Sequence, residues 1–143
     1  MSFAERALED GPGRGQASGV DRQEAPYGLH ADRYELAMAW SYWEDGRAEE
    51  PAVFDTFFRK LPFGGGFAVA AGLPVLLEAL ADFRFSEDQL AFLEQDGFGP
   101  GFLDYLRTFR FRAEVEAVPE GEIVFPLEPL LRVSGGLLEC QLV

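Results

Sequence analysis

From Leu29 onward apolar residues recur at spacings that switch between helical and strand-like, whereas residues 1–28 hold no sustained period. That opening stretch carries Gly11, Gly13, Gly15, Gly19 and Gly28 among mixed charges and few bulky apolar side chains. It reads as a flexible leader, with at most a frayed helical turn at Phe3 to Leu8. Ala31 to Asp45 predicts a helix. Asp32 stands at its start with Glu35 three residues later, in capping-box spacing. Tyr34, Met38 and Tyr42 form one apolar row of this helix and Leu36, Trp40 and Trp43 another, so both sides ask for cover.

Pro51 opens a predicted strand running to Phe58, apolar on both faces except at Asp55, with Arg59 and Lys60 at its end. Pro62 and Gly64-Gly65-Gly66 break the chain before a short strand at Phe67 to Ala71. Leu73 to Phe83 is helical, its stripe being Leu73, Leu76, Leu77 and Leu80. Ser86 and Gln89 form a second capping box for a helix over Glu87 to Gln95, and Phe102, Leu106 and Phe109 mark another short helix. Then the pattern turns β-rich. Ala113 to Ala117 alternates, Pro119-Glu120-Gly121 is a turn before Ile123-Val124-Phe125, and Leu130 to Val133 is a strand. Ser134-Gly135-Gly136 reads as a turn, followed by an apolar segment from Leu137 to Val143.

Composition narrows the function classes. At 143 residues the chain can bury about 68% of its unfolded surface, enough for one core, and 48% hydrophobic content with 14 Phe excludes a wholly disordered protein. The net charge of −13, with 11 Arg and one Lys as the only cations, repels nucleic acid and anionic membranes, so neither is an expected partner. No apolar run is long enough for a membrane span and no signal core stands at the start, which makes the cytoplasm the expected location.

The chemistry-bearing residues are few. His30 is the single histidine and lies where the leader meets the first helix, a place for a surface or capping role more than for catalysis. One His and the lone Cys140, set in an apolar run, do not make a zinc site, and Ser134 lacks the flanks of a nucleophile elbow. Neither a catalytic residue nor a metal ligand is assigned. Gly64-Gly65-Gly66 lacks a following Lys-Ser or Lys-Thr and reads better as a turn than as a phosphate cradle. Glu49-Glu50 and the Glu114, Glu116 pair read as solvated faces. Arg59 and Lys60 stand where an aromatic strand enters a Gly-rich turn; they suit a phosphate grip or a solubilising pair equally. Tyr34 can stack on a flat ligand or belong to the core.

Taken in order, these segments resemble the N-terminal region of nicotinate phosphoribosyltransferase. The resemblance is carried by Asp32-Arg33-Tyr34-Glu35-Leu36-Ala37-Met38-Ala39 with Tyr42-Trp43, then Ala52-Val53-Phe54-Asp55 with Phe57-Phe58-Arg59-Lys60, and Pro62-Phe63-Gly64-Gly65. It continues through Phe102 to Arg107, Pro119-Glu120-Gly121, Val124-Phe125-Pro126, Glu128 to Val133 and Gln141-Leu142, and covers residues 29–143. Two positions depart from the family pattern. Ala31 replaces the usual Thr, which puts the helix cap or a substrate-side hydrogen bond in question, and Arg33 replaces an apolar residue, which bears on the charge of the pocket.

The resemblance implies an α/β fold of the α+β kind that opens type II phosphoribosyltransferases, with helices packed on a mixed sheet and the barrel domain missing. Residues 1–28 are then the leader and 29–143 the N-terminal domain, truncated at its C-terminal end. For the whole enzyme it implies transfer of phosphoribosyl from phosphoribosyl pyrophosphate to nicotinate, giving nicotinate mononucleotide and pyrophosphate, driven by ATP hydrolysis with Mg2+. It also implies a homodimer in which Tyr34 stacks on the pyridine ring and Arg59 binds phosphate across the interface. The phosphorylated histidine of the family lies in the barrel, and His30 does not correspond to it. The fragment is expected to bind no cofactor and to be inactive alone. The alternative is a non-catalytic interaction module, or decayed relative, that binds a full-length partner.

Overall fold

The computed structural model describes residues 27–143. The expected leader falls outside the described residues except for Tyr27 and Gly28. These belong to a 3-10 turn at Tyr27–Leu29, which is tied to the domain by the Gly28 N–H donating to the Arg84 carbonyl at 3.0 Å. Gly28 is buried so closely against Phe85 that a Cβ would come within 2.4 Å of its ring.

Five helices and five strands follow. Helix α1 spans Arg33–Glu44 and leads through a turn into strand β1, Pro51–Thr56. After a 3-10 turn at Pro62–Gly64 come β2 at Ala68–Val69 and α2 at Leu73–Ala81. Helices α3, Glu87–Gln95, and α4, Pro100–Thr108, precede β3 at Glu114–Ala117 and β4 at Ile123–Val124. Strand β5, Leu131–Gly136, runs directly into α5, Leu137–Gln141. The capping box expected at Ser86 forms in full: the Gln89 N–H donates to Ser86 Oγ at 3.2 Å, and the Ser86 N–H donates to Gln89 Oε1 at 3.0 Å.

The α+β class is as expected, but among the described residues the strands do not make one mixed sheet. They make two antiparallel sheets, ordered β1-β5-β3 and β2-β4. The central strand β5 buries Leu131 and Val133 on the side that faces α5, while Arg132 points to the outer face. Strand β1 is an edge strand whose apolar residues stay exposed on both faces, Val53 at 58% and Phe54 at 37%.

Ser134-Gly135-Gly136 stays in β5 instead of turning. Its glycines serve close packing and not a reversal. A Cβ on Gly135 would stand 2.6 Å from the Ala113 Cβ, and one on Gly136 would stand 3.0 Å from the Ala48 carbonyl oxygen. The apolar segment after it is helical, burying Leu138, Cys140 and Leu142.

The main core lies among the helices. Phe102 of α4 is fully buried, with Trp40, Trp43, Phe98 and Tyr105 around it at centroid distances of 6.0–6.4 Å for Trp43, Phe98, Tyr105 and Trp40. Helix α1 lies on α5 and α4, and α5 lies in turn on β1 and β5, so one stack joins α1 to the sheet. Only one apolar row of α1 is covered: Leu36 and Ala39 are buried, whereas Tyr34 and Met38 face solvent.

Candidate functional site

Tyr34 sits in the first turn of α1, whose position is set by packing on its other side. There, Gly99 and Gly101 let α4 approach so closely that added Cβ atoms would lie 3.2 Å from Trp40 and 2.8 Å from Trp43. The ring of Tyr34 is 61% exposed. Its hydroxyl donates to Glu35 Oε1 at 3.3 Å, while Glu35 Oε2 accepts the Asp32 N–H at 2.8 Å. The charge of Glu35, with minor help from desolvation, its hydrogen bond and Asp32, raises the phenol above the usual tyrosine range, so the ring is neutral at physiological pH.

The two positions that depart from the family pattern sit in defined local surroundings. With Ala31 in place of Thr, Glu35 still satisfies the Asp32 N–H at the helix start. Arg33 points away to the end of α3, where Nε donates to Asp96 Oδ2 at 2.6 Å and the guanidinium lies 6.0 Å from the Phe98 ring centroid.

Arg59 follows β1 in an exposed bend with Lys60, and neither has an ion pair or side-chain hydrogen bond among the described residues. The backbone just before it is held: the Phe58 carbonyl accepts the Leu127 N–H at 2.9 Å, and the Thr56 carbonyl accepts that of Leu130 at 2.8 Å. Arg59 therefore leaves a fixed strand end with its guanidinium free to take a ligand. No hydrogen bond, ion pair or ring contact joins Arg59 to Tyr34, and neither lines the shallow clefts of about 460 and 500 Å3 beside β1 and between β3 and β5. Both residues face outward from separate elements.

The remaining candidates lie apart from Tyr34 and Arg59 on separate elements. His30 is exposed and meets Tyr27 edge-on at 5.3 Å. Cys140 is buried, its thiol within 3.6 Å of the Ala52 and Val133 carbonyls, and burial pushes the thiol above its ordinary range. The Gly64 region is a turn between β1 and β2, with Phe63 and Gly64 at φ 57° and 67°. Among the described residues no three His, Cys, Asp or Glu side chains cluster as metal ligands. No described helix is long and apolar enough to cross a membrane.

Three long-range carboxylates escaped the sequence reading. Glu120 accepts the Gly72 and Leu73 N–H groups at 3.0 and 3.1 Å, which caps α2 from 47 residues away. Glu139 accepts the N–H of Ala113 at 2.9 Å and that of Arg112. Asp55 pairs with Arg132. The turn Pro119-Glu120-Gly121 was visible in sequence, but its target was not.

Comparison with known proteins identifies the domain. The profile described as the nicotinate phosphoribosyltransferase (NAPRTase) N-terminal domain matches residues 29–143. Nicotinate phosphoribosyltransferase pncB1 of Mycobacterium tuberculosis (strain H37Rv) is 41% identical over 132 residues, covering 92% of this chain and 29% of that protein. Nicotinate phosphoribosyltransferase of Bacillus subtilis (strain 168) is 43% identical over 116 residues, or 80% of this chain and 24% of that one. The crystal structure of human nicotinic acid phosphoribosyltransferase superposes with a TM-score of 0.70 at 43% identity, covering 78% of this chain and 23% of the human chain.

Fold and matches together define the opening α+β domain of a phosphoribosyltransferase. The chain belongs to the nicotinate phosphoribosyltransferase family, of which it carries the N-terminal domain. It spans about a quarter of the length of the curated relatives it matches.

Proposed function

We propose that this domain serves an enzyme that joins nicotinate to phosphoribosyl pyrophosphate, giving nicotinate mononucleotide and pyrophosphate in NAD salvage with ATP hydrolysis. The domain lends Tyr34 and Arg59 to a site completed by polypeptide beyond it, across a homodimer interface, and does no chemistry alone. When pyrophosphate departs, the ribose carbon becomes cation-like, so such a site must hold phosphates with cations while fixing the flat pyridine ring. Tyr34 supplies a neutral aromatic face, and Arg59 a planar guanidinium able to grip phosphate with two parallel bonds. Mg2+ and ATP belong to the part of the enzyme outside this domain.

The observation that carries this reading is that Tyr34 and Arg59 both face solvent on separate elements, and that neither lines the cleft beside β1 or the one between β3 and β5. Calorimetry of the chain with nicotinate and with phosphoribosyl pyrophosphate tests it. No submillimolar binding of either is expected, and submillimolar binding would overturn the reading. Bare apolar side chains, Phe57, Phe63, Phe67, Ile123, Phe125 and Leu127 among them, also favour a second reading, a binding module that docks on a full-length partner without chemistry.

A further inference from the structure

On a helix, residues i and i+1 point about 100° apart and do not normally meet. Glu35 meets Tyr34 because it is bent back toward the helix start: the Asp32 N–H holds Oε2 at 2.8 Å, which brings Oε1 to 3.3 Å from the Tyr34 hydroxyl. Among the described residues no other hydrogen bond restrains the ring. Among the described residues Tyr34 makes no ring contact, and it is mostly exposed. An exposed helical tyrosine is otherwise free to hop between the two side-chain rotamers a helix permits. Arg33 is turned away to Asp96, leaving Glu35 and Asp32 as the charged groups acting on the phenol.

We propose that Glu35 is a positioning residue for Tyr34, its carboxylate clamped at one oxygen by the helix start and holding the phenol with the other, so that the ring is presented in one orientation. This rests on the reading of Tyr34 as the aromatic face offered to the pyridine. Preorganising an exposed ring removes the entropy that ordering it would cost on binding. It also gives the helix-cap residue a second task that the capping spacing alone does not reveal.

The test is a carbon-13 NMR titration of the full chain labelled at the tyrosine ring, with Y34F assigning the Tyr34 signal. Glu35→Gln keeps an amide oxygen for the Asp32 N–H but removes the charge and the strong acceptor. With helix content unchanged by circular dichroism, the Tyr34 titration is expected to shift down toward that of an ordinary tyrosine. Glu35→Ala is expected also to average the Tyr34 rotamer couplings. A Glu35→Ala variant of unchanged helix content whose Tyr34 rotamer couplings stay as fixed as in the wild type overturns the proposal, and so does a Tyr34 titration that Glu35→Gln leaves in place. Neither readout involves nicotinate, so failure of the pyridine reading would leave this result standing, and the reverse holds too.

Discussion

Arg132 and Asp55 face each other across β5 and β1, with Nε and Nη2 donating to the two carboxylate oxygens at 2.7 and 3.0 Å. On the other side of Arg132 stands Glu116, its register partner on β3, so one guanidinium lies between two carboxylates on the outer face of the sheet. Asp55 follows the apolar run Ala52-Val53-Phe54 of β1 and pairs with this guanidinium. The hydrogen bonds from Arg132 hold its carboxyl below the usual range. A carboxyl depressed in the fold adds stability above its unfolded pKa of about 3.9, and that stability is lost as pH falls through the lower folded value. Asp55→Asn is therefore expected to lower stability modestly at neutral pH, as for an exposed ion pair, and to flatten the acid limb of the stability curve below about pH 4. Urea titrations at neutral and acid pH check this; an acid limb as steep as in the wild type would show that the pair is not coupled to folding.

The glycines at the end of β5 make a sharper demand on packing. Gly135→Ala places a methyl group 2.6 Å from the Ala113 Cβ, where neither side can yield without moving backbone. A loss of about 1–3 kcal/mol is expected, as for other overpacked sites. Phe102→Ala, which empties the centre of the aromatic cluster, should lose about 3–5 kcal/mol. Urea denaturation of each variant gives the figure, and a neutral Gly135→Ala would mean that the strand end is looser than the close contact requires.

Elements built on local signals are legible in the sequence itself. Ser86 and Gln89 announced α3 because a capping box is complete within four residues, and Glu114 to Ala117 announced β3 by alternation. What failed was non-local. Ser134-Gly135-Gly136 carries the composition of a turn, and only the approach of Ala113 and Ala48 shows why glycine is needed in a strand. Asp55 and Arg132 are 77 residues apart, and Glu120 caps a helix that begins 47 residues earlier, so no window of sequence contains either pair. The same limit governs the candidate site. Residue types mark Tyr34 and Arg59 as candidates and the resemblance gives them roles, while their outward placement, and the tie from Tyr34 to Glu35, are visible only in the fold.

Cys140 offers a check on the buried seam between α5 and the sheet. Its thiol is enclosed and its pKa raised by burial, so little reactive thiolate is present at neutral pH. Reaction with a thiol-specific disulfide reagent should be slow in the folded chain and fast in denaturant. Rapid labelling of the native protein would mean that α5 opens away from β1 and β5.

In an enzyme that joins this domain to the remaining length found in its relatives, the two outward residues should separate by substrate. Tyr34→Ala is expected to raise the KM for nicotinate, with Tyr34→Phe closer to wild type because the stacking face is kept. Arg59→Ala should act on phosphoribosyl pyrophosphate instead. Losing one charge-assisted hydrogen bond costs roughly 1.5–3 kcal/mol, or about 10- to 150-fold in use of that substrate. Steady-state kinetics with each substrate varied in turn decides this, and unchanged kinetics in either variant removes that residue from the site.

Phe63 is the side chain that the domain spends least on itself. It is fully exposed at φ 57°, and Leu127, also exposed, lies at φ 68°, so two bulky residues sit in the left-handed region with their side chains in water. Such a conformation costs an L-residue about 1–2 kcal/mol, and no packing within the described domain repays it. Phe63→Gly relieves that strain but adds freedom to the unfolded chain, and the two effects nearly cancel, so stability should stay within about 1 kcal/mol of wild type. Surface behaviour should change more. The wild-type chain is expected to bind a hydrophobic dye and to self-associate through its bare apolar side chains, and Phe63→Gly to do both less. Sedimentation velocity and dye fluorescence measure the difference; a wild-type chain that is monodisperse and silent to the dye would count against an apolar surface made to be covered.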